Sequence, residues 1–367
     1  MRPHGRFFTT LDGIRGVAAI MVVAFHAAPV FGKGIAHEQF LAVDLFFVLS
    51  GVVIANAYEH RLRSSLSVSS FTKIRLIRLY PLYIFGTAIR LVAIGGGLIL
   101  VGTHSAGSWH QLAAALFFAM LMLPGPFVDF VFPLNPPGWS LFFELFGNIA
   151  YASVFRLLKP YVLGAIMAVS ALGLAGFLYF GPQHDLHIGW TAENLTGGFF
   201  RVGYSFFAGV LLYRLFASQT VTLKDDRRVA FMPWVILGLV AVMLGAKPQA
   251  SVRPYYEFTV VTLFFPAIIY CALWFEPTGV GGRVCKFLGA VSYAVYAIHL
   301  PLYWLLSGIT KRMLHVPEES LAPWAGLFFL SILLALCWAL DKFYDRPLRS
   351  FLAARGQFKT ATIPEKG

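Results

Sequence analysis

Two ionisable residues, Arg15 and His26, stand eleven positions apart in the segment LDGIRGVAAIMVVAFHAAP, and every residue between them is apolar or small. Eleven steps of an α-helix make three turns plus about 20°, which places both side chains on one face about 16 Å apart. An imidazole titrates near neutral pH and can act as a general base, whereas a guanidinium binds anions. Ionisable groups in so apolar a segment are costly and indicate a functional site.

Three further ionisable residues are expected at the depth of this histidine if the apolar segments cross a membrane. Asp44, Glu144 and Arg201 then lie roughly 6–9 Å below the outer surface. A carboxylate at that depth can orient an imidazole and stabilise its cation, so we predict His26, Glu144 and Asp44 as catalytic residues. For Asp44 and Arg201 the alternative is an ion pair that holds the helices together.

A second layer of ionisable residues is basic. Arg75 and Arg78, in FTKIRLIRLYPLY, are three positions apart on one helix face at the predicted cytoplasmic mouth, and Arg15 lies at the same level. Guanidinium groups bind phosphates through paired hydrogen bonds, so these arginines are candidates for binding a phosphorylated ligand. The alternative is ordinary basic anchoring at the ends of membrane spans, and no glycine-rich phosphate loop favours the ligand.

His299, in SYAVYAIHLPLYW, precedes Pro301, whose ring leaves a backbone carbonyl unpaired one turn earlier. A structural role for this histidine is therefore as well supported as a chemical one. We place His299, Arg201 and Trp139 among the candidate substrate-binding residues. No metal site is predicted, because neither the histidines nor the three cysteines have metal-ligand spacing. The loop histidines are expected to be solvated: His104, His110, His184 and His187.

The composition defines the fold class. The chain of 367 residues is 58% hydrophobic and 13% charged, against roughly 25% charged residues in soluble domains. We predict an all-α polytopic membrane protein, with residues 1–352 as a single membrane domain and 353–367 as a cytoplasmic tail. About ten spans are expected at 12–30, 40–58, 79–102, 139–157, 161–181, 195–217, 231–246, 256–275, 287–307 and 323–343.

The basic residues predict the orientation. If the short apolar piece 111–123 does not cross, 22 of the 29 lysines and arginines lie on the cytoplasmic side, with both termini inside. Residues 103–138 are then a re-entrant or outer-side element, since crossing there would invert every later loop. The net charge of +12 is explained by this orientation, so nucleic acid is not a predicted partner.

Six segments, taken in order along nearly the whole chain, resemble the acyltransferase-3 family of integral membrane acyltransferases. They are LDGIRG with the Arg15–His26 spacing, VDLFFVLSGVVI (43–54), RLIRLYPLY (75–83), WSLFFE (139–144), SYAVYAIHLP (292–301) and DRPLR (345–349). Each segment is a weak signal by itself, but six in the family's order are specific.

The resemblance implies an O-acyltransferase of the bacterial cytoplasmic (inner) membrane that moves an acetyl group from cytoplasmic acetyl-CoA to a hydroxyl of an extracytoplasmic or membrane-linked glycan. Surface polysaccharide, O-antigen and peptidoglycan precursors are typical acceptors in the family. By the same resemblance, Arg15 and His26 match the family's essential pair. Arg75 and Arg78 match its cytoplasmic coenzyme A motif, and Glu144 matches its acid.

The chain also departs from the family pattern. Many relatives have a second acid after the Glu144 position, followed by glutamine, phenylalanine and tyrosine, whereas this chain has Leu145, Phe146, Gly147 and Asn148. Leu300 stands where many relatives have an aromatic residue. We expect a stand-alone membrane domain without the esterase-like domain fused to some members, which leaves the acceptor undetermined.

Two other functions fit the same charges. A proton-coupled transporter could use His26, Glu144 and Arg15 as a relay, and a non-catalytic scaffold could use them for stability alone. The sequence also leaves open whether the acyl group is acetyl or another group, and whether His26 is a general base or a covalent carrier. Membrane lipids are expected partners, and a homodimer is one option for the oligomeric state.

Overall fold

The computed structural model describes residues 7–32, 34–101, 109–219, 231–311 and 315–355, and within these ranges the chain is helical and contains no strand. Residues 353–355 of the predicted tail continue the last helix, and the rest of the tail lies outside the described residues, as do His104 and residues 102–108.

The α-helices follow one another with short connections. They are α1 (Thr9–His26), α2 (Ala28–Phe31), α3 (Ala42–Ser64), α4 (Val68–Val101), α5 (Trp109–Met120), α6 (Gly138–Val154), α7 (Pro160–Phe180), α8 (Leu195–Ser218), α9 (Met232–Gly245), α10 (Arg253–Thr259), α11 (Phe265–Ala272), α12 (Gly279–Ile309), α13 (Trp324–Leu340) and α14 (Arg346–Arg355). One π-helical turn, Val260–Phe264, joins α10 to α11, and another, Asp341–Asp345, joins α13 to α14.

Within the described ranges, eight helical segments are long and apolar enough to cross a membrane, which confirms the prediction of a polytopic protein. They contain α1, α3, α4, α7, α8, α10 with α11, α12, and α13 with α14. Two of the ten predicted spans correspond to shorter helices, α6 with 17 residues and α9 with 14. Contacts at both ends of α9 show that it lies along the length of the bundle: the Leu244 carbonyl accepts a hydrogen bond from the Glu38 amide, and Trp234 packs against Gly281.

The helix ends define two ends of the bundle. At the inner end, Phe8, just before α1, packs on Phe216 near the end of α8, with ring centroids 5.7 Å apart. At the outer end, His26 closes α1, and Arg253 at the start of α10 pairs with Glu38 at 2.9 Å. The predicted orientation assigns the inner end to the cytoplasm.

Helix α4 begins earlier than the predicted span 79–102, whose start was wrong. It starts at Val68, so Arg75 and Arg78 lie seven and ten residues inside it, about 10 and 15 Å from its first residue. The two arginines lower the hydropathy of this stretch, but both find carboxylate partners inside the bundle. They therefore lie within the helix bundle, and their place at the cytoplasmic mouth stays a prediction.

Residues 109–137 run into the helix bundle alongside α4 and then return towards its outer end. The Tyr80 hydroxyl donates a 2.7 Å hydrogen bond to the carbonyl of Met120, the last residue of α5. Further along, the Val131 amide donates to the carbonyl of Trp190 in the α7–α8 connection at the outer end. This path suits the predicted re-entrant element, which we retain as a prediction.

Helices α1 and α12 pack so closely that glycine is required at the contact. A Cβ on Gly16 would lie 2.3 Å from Cβ of Leu288, and a Cβ on Gly289 would lie 2.4 Å from Cβ of Asp12. Small residues of this kind let helix backbones approach each other inside a membrane bundle. This close approach places the outer parts of the two helices side by side.

Candidate active site

His26, the last residue of α1, contacts His299, which lies ten residues before the end of α12. His299 Nε2 lies 3.1 Å from His26 Nδ1, and the ring centroids are 5.0 Å apart. His299 is buried, whereas His26 is partly exposed to a cavity of about 330 Å³, which we call the outer cavity. Its lining consists of Val22, Phe25, His26, Gln39, Phe40, Val43, Phe130, Pro136, Pro137, Trp139, His187, Trp190, Tyr296, His299, Leu300 and Trp304.

The hydrogen bonds fix the tautomers of this pair. His299 Nδ1 contacts only the carbonyl oxygens of Val295 and Tyr296, at 3.1 and 2.8 Å, so it carries the proton. The lone pair of neutral His299 is then on Nε2, which accepts from the Nδ1–H of His26. His26 Nδ1 also lies 3.0 Å from the Val22 carbonyl oxygen, so its N–H is shared between the two acceptors. The lone pair of His26 is therefore on Nε2, which has no hydrogen bond among the described residues.

The walls of the outer cavity are largely aromatic, with a few polar groups between the rings. Gln39 is buried, and its amide has no hydrogen-bond partner within the described part of the chain. His187 lies between the rings of Phe40 and Trp190, each with its centroid 5.1 Å away. His187, which was predicted to be solvated, is partly exposed and lines the outer cavity. Burial, followed by the positive charge of Arg201, lowers the pKa of His187 to about 4, so the ring is neutral near pH 7.

A second cavity, of about 210 Å³, lies deeper and is called the inner cavity. Its polar lining includes Arg15, Ser50, Arg75, Arg78, Ser140, Glu144, Ser292, Tyr293 and Tyr296. Arg75 Nη2 donates to Glu144 Oε1 at 2.9 Å, and the Ser50 hydroxyl donates to the same oxygen at 3.0 Å. The Nε of Arg75 is buried without a hydrogen-bond partner. The Arg75 guanidinium therefore keeps an unused donor beside the cavity.

The other two predicted arginines also line the inner cavity. Arg78 lies 3.3 Å from a carboxylate oxygen of Asp345 and stacks over the Tyr293 ring, with its guanidinium carbon 5.0 Å from the centroid. Asp345 also pairs with Arg349 at 3.0 Å, which gives the DRPLR segment a structural role. Arg15 pairs with Asp12 one turn earlier on α1, at 3.3 Å. The structure thus brings Arg15, Arg75 and Arg78 to one cavity.

A thin partition separates the two cavities. Val43 and Tyr296 line both of them. The Ser140 hydroxyl donates to the Pro137 carbonyl at 3.0 Å, so at the 2.6 Å contact between the two hydroxyls Tyr296 is the donor and Ser140 the acceptor. The Phe46 ring packs edge-on against Tyr296 at 5.3 Å. The side chains of Val43 and Tyr296 are therefore walls of both cavities.

Asp44 and Arg201 form an ion pair that is fully buried, with Nη2 of Arg201 2.6 Å from Asp44 Oδ2. Nη2 also donates to the Phe40 carbonyl, Nε donates to Asp44, and Nη1 donates to the Ile188 carbonyl. The guanidinium stacks on Trp139, which lines the outer cavity, at 5.3 Å. Among the described residues, neither member of the pair lines either cavity.

The structure separates the predicted catalytic residues. Glu144 does not share the depth of His26: it lies in the inner cavity beside Arg75, and Asp44 is bonded to Arg201. The group that contacts His26 is His299, which was predicted on the substrate side. Sequence reasoning missed Gln39, Tyr296 and Asp345. Only the last two lay in recognisable segments, SYAVYAIHLP and DRPLR.

No group of three or more histidine, cysteine, aspartate or glutamate residues that could hold a metal ion occurs in the described ranges. The residues that line the two cavities supply an imidazole base or nucleophile, a carboxylate, hydroxyls and guanidinium groups. This set suits acyl transfer, which needs a base or nucleophile and donors for a developing oxyanion.

Fold and site together define a polytopic membrane protein that encloses such groups between its helices. Residues 8–342 match the family model described as an acyltransferase domain, the acyltransferase-3 family. The chain belongs to this family and is an acyltransferase, as the resemblance of its six segments predicted.

Individual relatives agree with this assignment. A Rhizobium radiobacter protein named Protein 2 in picA locus is 40% identical over 179 residues, covering 46% of this chain and 92% of its own length. A Staphylococcus aureus (strain COL) protein provisionally named an O-acetyltransferase is 24% identical over 80% of this chain, which spans only 50% of that relative. An Acidianus two-tailed virus protein provisionally named an acetyltransferase is 24% identical over 83% of this chain and 85% of its own length. No solved structure matches the chain significantly.

Proposed function

We propose that this protein is an O-acetyltransferase of a bacterial cytoplasmic membrane that moves an acetyl group from cytoplasmic acetyl-CoA to a hydroxyl of a glycan at the outer end of the bundle. One observation carries the proposal: an arginine-lined cavity and a histidine-lined cavity meet at Val43 and Tyr296. A donor bound from one side can thus reach a base near the other. The names of the staphylococcal and viral relatives support acetyl as the transferred group.

The inner cavity suits the thioester end of the donor. Its volume of about 210 Å³ is below the roughly 300–1,000 Å³ of pockets that hold whole drug-sized ligands. Only the acyl group and part of the pantetheine arm fit, so the nucleotide lies towards the inner end. Arg15, Arg75 and Arg78 line this cavity and are the donors nearest to phosphate or carbonyl oxygens bound in it.

The outer cavity suits a sugar ring. Flat aromatic side chains such as Trp139, Trp190 and Trp304 can pack against the apolar faces of a pyranose, which are covered by C–H groups. The unpaired amide of Gln39 offers both a donor and an acceptor for ring hydroxyls. We assign Asp44 and Arg201 to the support of this wall through Trp139, in place of direct catalysis.

Two routes use Nε2 of His26, and both balance. As a general base, Nε2 takes the proton from the acceptor hydroxyl, the oxygen attacks the thioester carbonyl, and the coenzyme A thiolate leaves and is then protonated. As a carrier, Nε2 attacks the carbonyl and the thiolate leaves. The acceptor oxygen then attacks the acyl-imidazole, the bond from the acyl carbon to Nε2 breaks, and the hydroxyl proton passes to the thiolate. In either route His299 Nε2 holds the Nδ1–H of His26 and stabilises the positive ring.

Replacing His26 tests the proposal. Purified protein in proteoliposomes is incubated with radiolabelled acetyl-CoA and candidate glycans, and label transfer is counted. His26→Ala is expected to lower turnover by about 10²–10⁴-fold, the usual contribution of a positioned base, with unchanged acetyl-CoA affinity. His184→Ala, a change at an exposed loop histidine, serves as the matched control and should leave turnover unchanged.

Label recovered on His26 in acceptor-free protein would select the carrier route, and its absence together with direct transfer kinetics would select the general base. Normal turnover by His26→Ala would contradict the proposed mechanism. Glycan movement across the membrane that consumes no acetyl-CoA and depends on a pH gradient would contradict the acetyltransferase and support the transporter.

A further inference from the structure

A third cavity, of about 720 Å³, lies at the inner end of the bundle, where α3 and α8 end and where α6 leads into α7. We call it the end cavity. It shares no lining residue with the two cavities of the proposed active site among the described residues. Its charged or titratable lining residues are Glu59, His60, Arg63, Arg156, Lys159, Tyr213 and Arg214.

The end cavity has an excess of positive charge. Among the described lining residues, Glu59 is the single carboxylate, and it already pairs with Arg63 at 2.6 Å and with Arg214 at 3.1 Å. Arg156 and Lys159 form no ion pair within the described part of the chain; each instead stacks on a neighbouring aromatic ring. Nη2 of Arg214 is buried without a hydrogen-bond partner. The cavity therefore holds more positive charge than its own carboxylate neutralises.

Large apolar side chains stand exposed beside these cations. Leu157 is 68% exposed, Tyr161 is 70% exposed and Leu215 is 47% exposed. Leu157 lies directly between Arg156 and the Leu158–Lys159 pair in sequence, so cation and apolar surface alternate along this stretch. A free nucleotide would leave this apolar surface uncovered, whereas the acyl chains of a lipid would cover it.

We propose that the end cavity binds the phosphate group of an anionic membrane lipid, whose acyl chains pack on Leu157, Tyr161 and Leu215. Arg156 and Lys159 are the primary phosphate contacts, and Nη2 of Arg214 is a further donor. Basic pockets between membrane helices on the cytoplasmic side are a known class of binding site for anionic headgroups. The proposal does not depend on the acetyltransferase mechanism, because the site and its residues are separate.

The test measures lipid binding to the full chain. Wild-type protein in phosphatidylcholine nanodiscs is titrated with cardiolipin or phosphatidylglycerol, and bound lipid is quantified by native mass spectrometry. The double variant Arg156→Gln/Lys159→Gln is expected to bind these lipids about 30-fold more weakly. The matched control is Lys342→Gln/Arg355→Gln, which also removes two exposed cations stacked on aromatic rings, but outside the cavity. It should bind the lipids like the wild type.

A second arm separates lipid from nucleotide. Adenosine 3′,5′-bisphosphate, added in phosphatidylcholine alone, is expected neither to bind the cavity nor to displace cardiolipin. Three results would overturn the proposal: equal lipid binding by the cavity variant and the wild type, equal loss in the control variant, or loss of nucleotide binding alone. Melting curves show whether both double variants fold. A third variant, Leu157→Gln, keeps every cation but removes an apolar contact, and it should also weaken lipid binding.

Discussion

Two arginine–carboxylate pairs that link helices in this molecule have the same chemistry but different surroundings. Asp44–Arg201 links α3 to α8, and both side chains are 0% exposed. Glu144–Arg75 links α6 to α4, with 20% and 12% of the side chains exposed. Arg201 bonds to its partner and to two backbone carbonyls, whereas Nε of Arg75 has no partner and its carboxylate lines a cavity.

The difference separates a structural pair from one that can bind a ligand. We call Asp44–Arg201 the closed pair and Glu144–Arg75 the open pair. A guanidinium whose donors are all used has none to offer a substrate, and removing its partner would leave a charge buried. A guanidinium that lines a cavity and keeps one donor outside its own ion pair is the better candidate for binding an incoming oxyanion. Identical residue types therefore have different expected roles, and mutation can test the distinction.

The largest expected effect is on stability at the closed pair. Arg201→Leu leaves the Asp44 carboxylate buried without a counter-ion, which should lower the free energy of unfolding by about 3–5 kcal/mol. Denaturant unfolding in detergent measures it. The double variant Asp44→Leu/Arg201→Leu removes both charges and should recover much of the loss. A stable Arg201→Leu protein that no longer binds acceptor would reverse the roles given to the two pairs.

The next effect is the pH dependence of stability that comes from His187, whose pKa is affected by Arg201 of the closed pair. The pKa of His187 is about 4 in the folded protein and about 6.5 when unfolded, so the unfolded chain binds more protons between these values. Stability should therefore fall as the pH drops from about 6.5 to 4, by at most about 3 kcal/mol. Unfolding across this range measures the slope. His187→Phe keeps a ring between Phe40 and Trp190 and should flatten the slope of stability against pH. An unchanged slope would show that another group titrates in this range.

The smallest effect is expected on donor binding at the open pair. Arg75→Gln should weaken acetyl-CoA binding by about 1.5–3 kcal/mol, the value of a charged hydrogen bond, as measured by calorimetry. Arg214→Gln is the matched control, because Arg214 pairs with Glu59 at 3.1 Å and has similar exposure but lines the end cavity. Equal weakening in both variants would show that donor affinity depends on overall positive charge and not on the inner cavity.

Much of the fold followed from local sequence. Long apolar runs predicted the membrane helices, and the resemblance of six short segments predicted the family that the comparison confirmed. The start of α4 was missed because Arg75 and Arg78 interrupt its hydropathy, and their carboxylate partners lie 69 and 267 positions away. His187 is less exposed than predicted for a similar reason. Phe40, one of the two rings that pack on it, comes from a distant part of the chain.

The sequence by itself determined which residues could do chemistry and on which helices they lie, because helix formation and residue type are local properties. It placed Arg15 and His26 on one face of α1, where the structure also has them. Only the tertiary structure decided the partners: His299, 273 positions away, contacts His26, while Glu144 bonds to Arg75. Partner choice depends on helix depth, rotation and close approach at residues such as Gly16 and Gly289, which arise only when the helices pack.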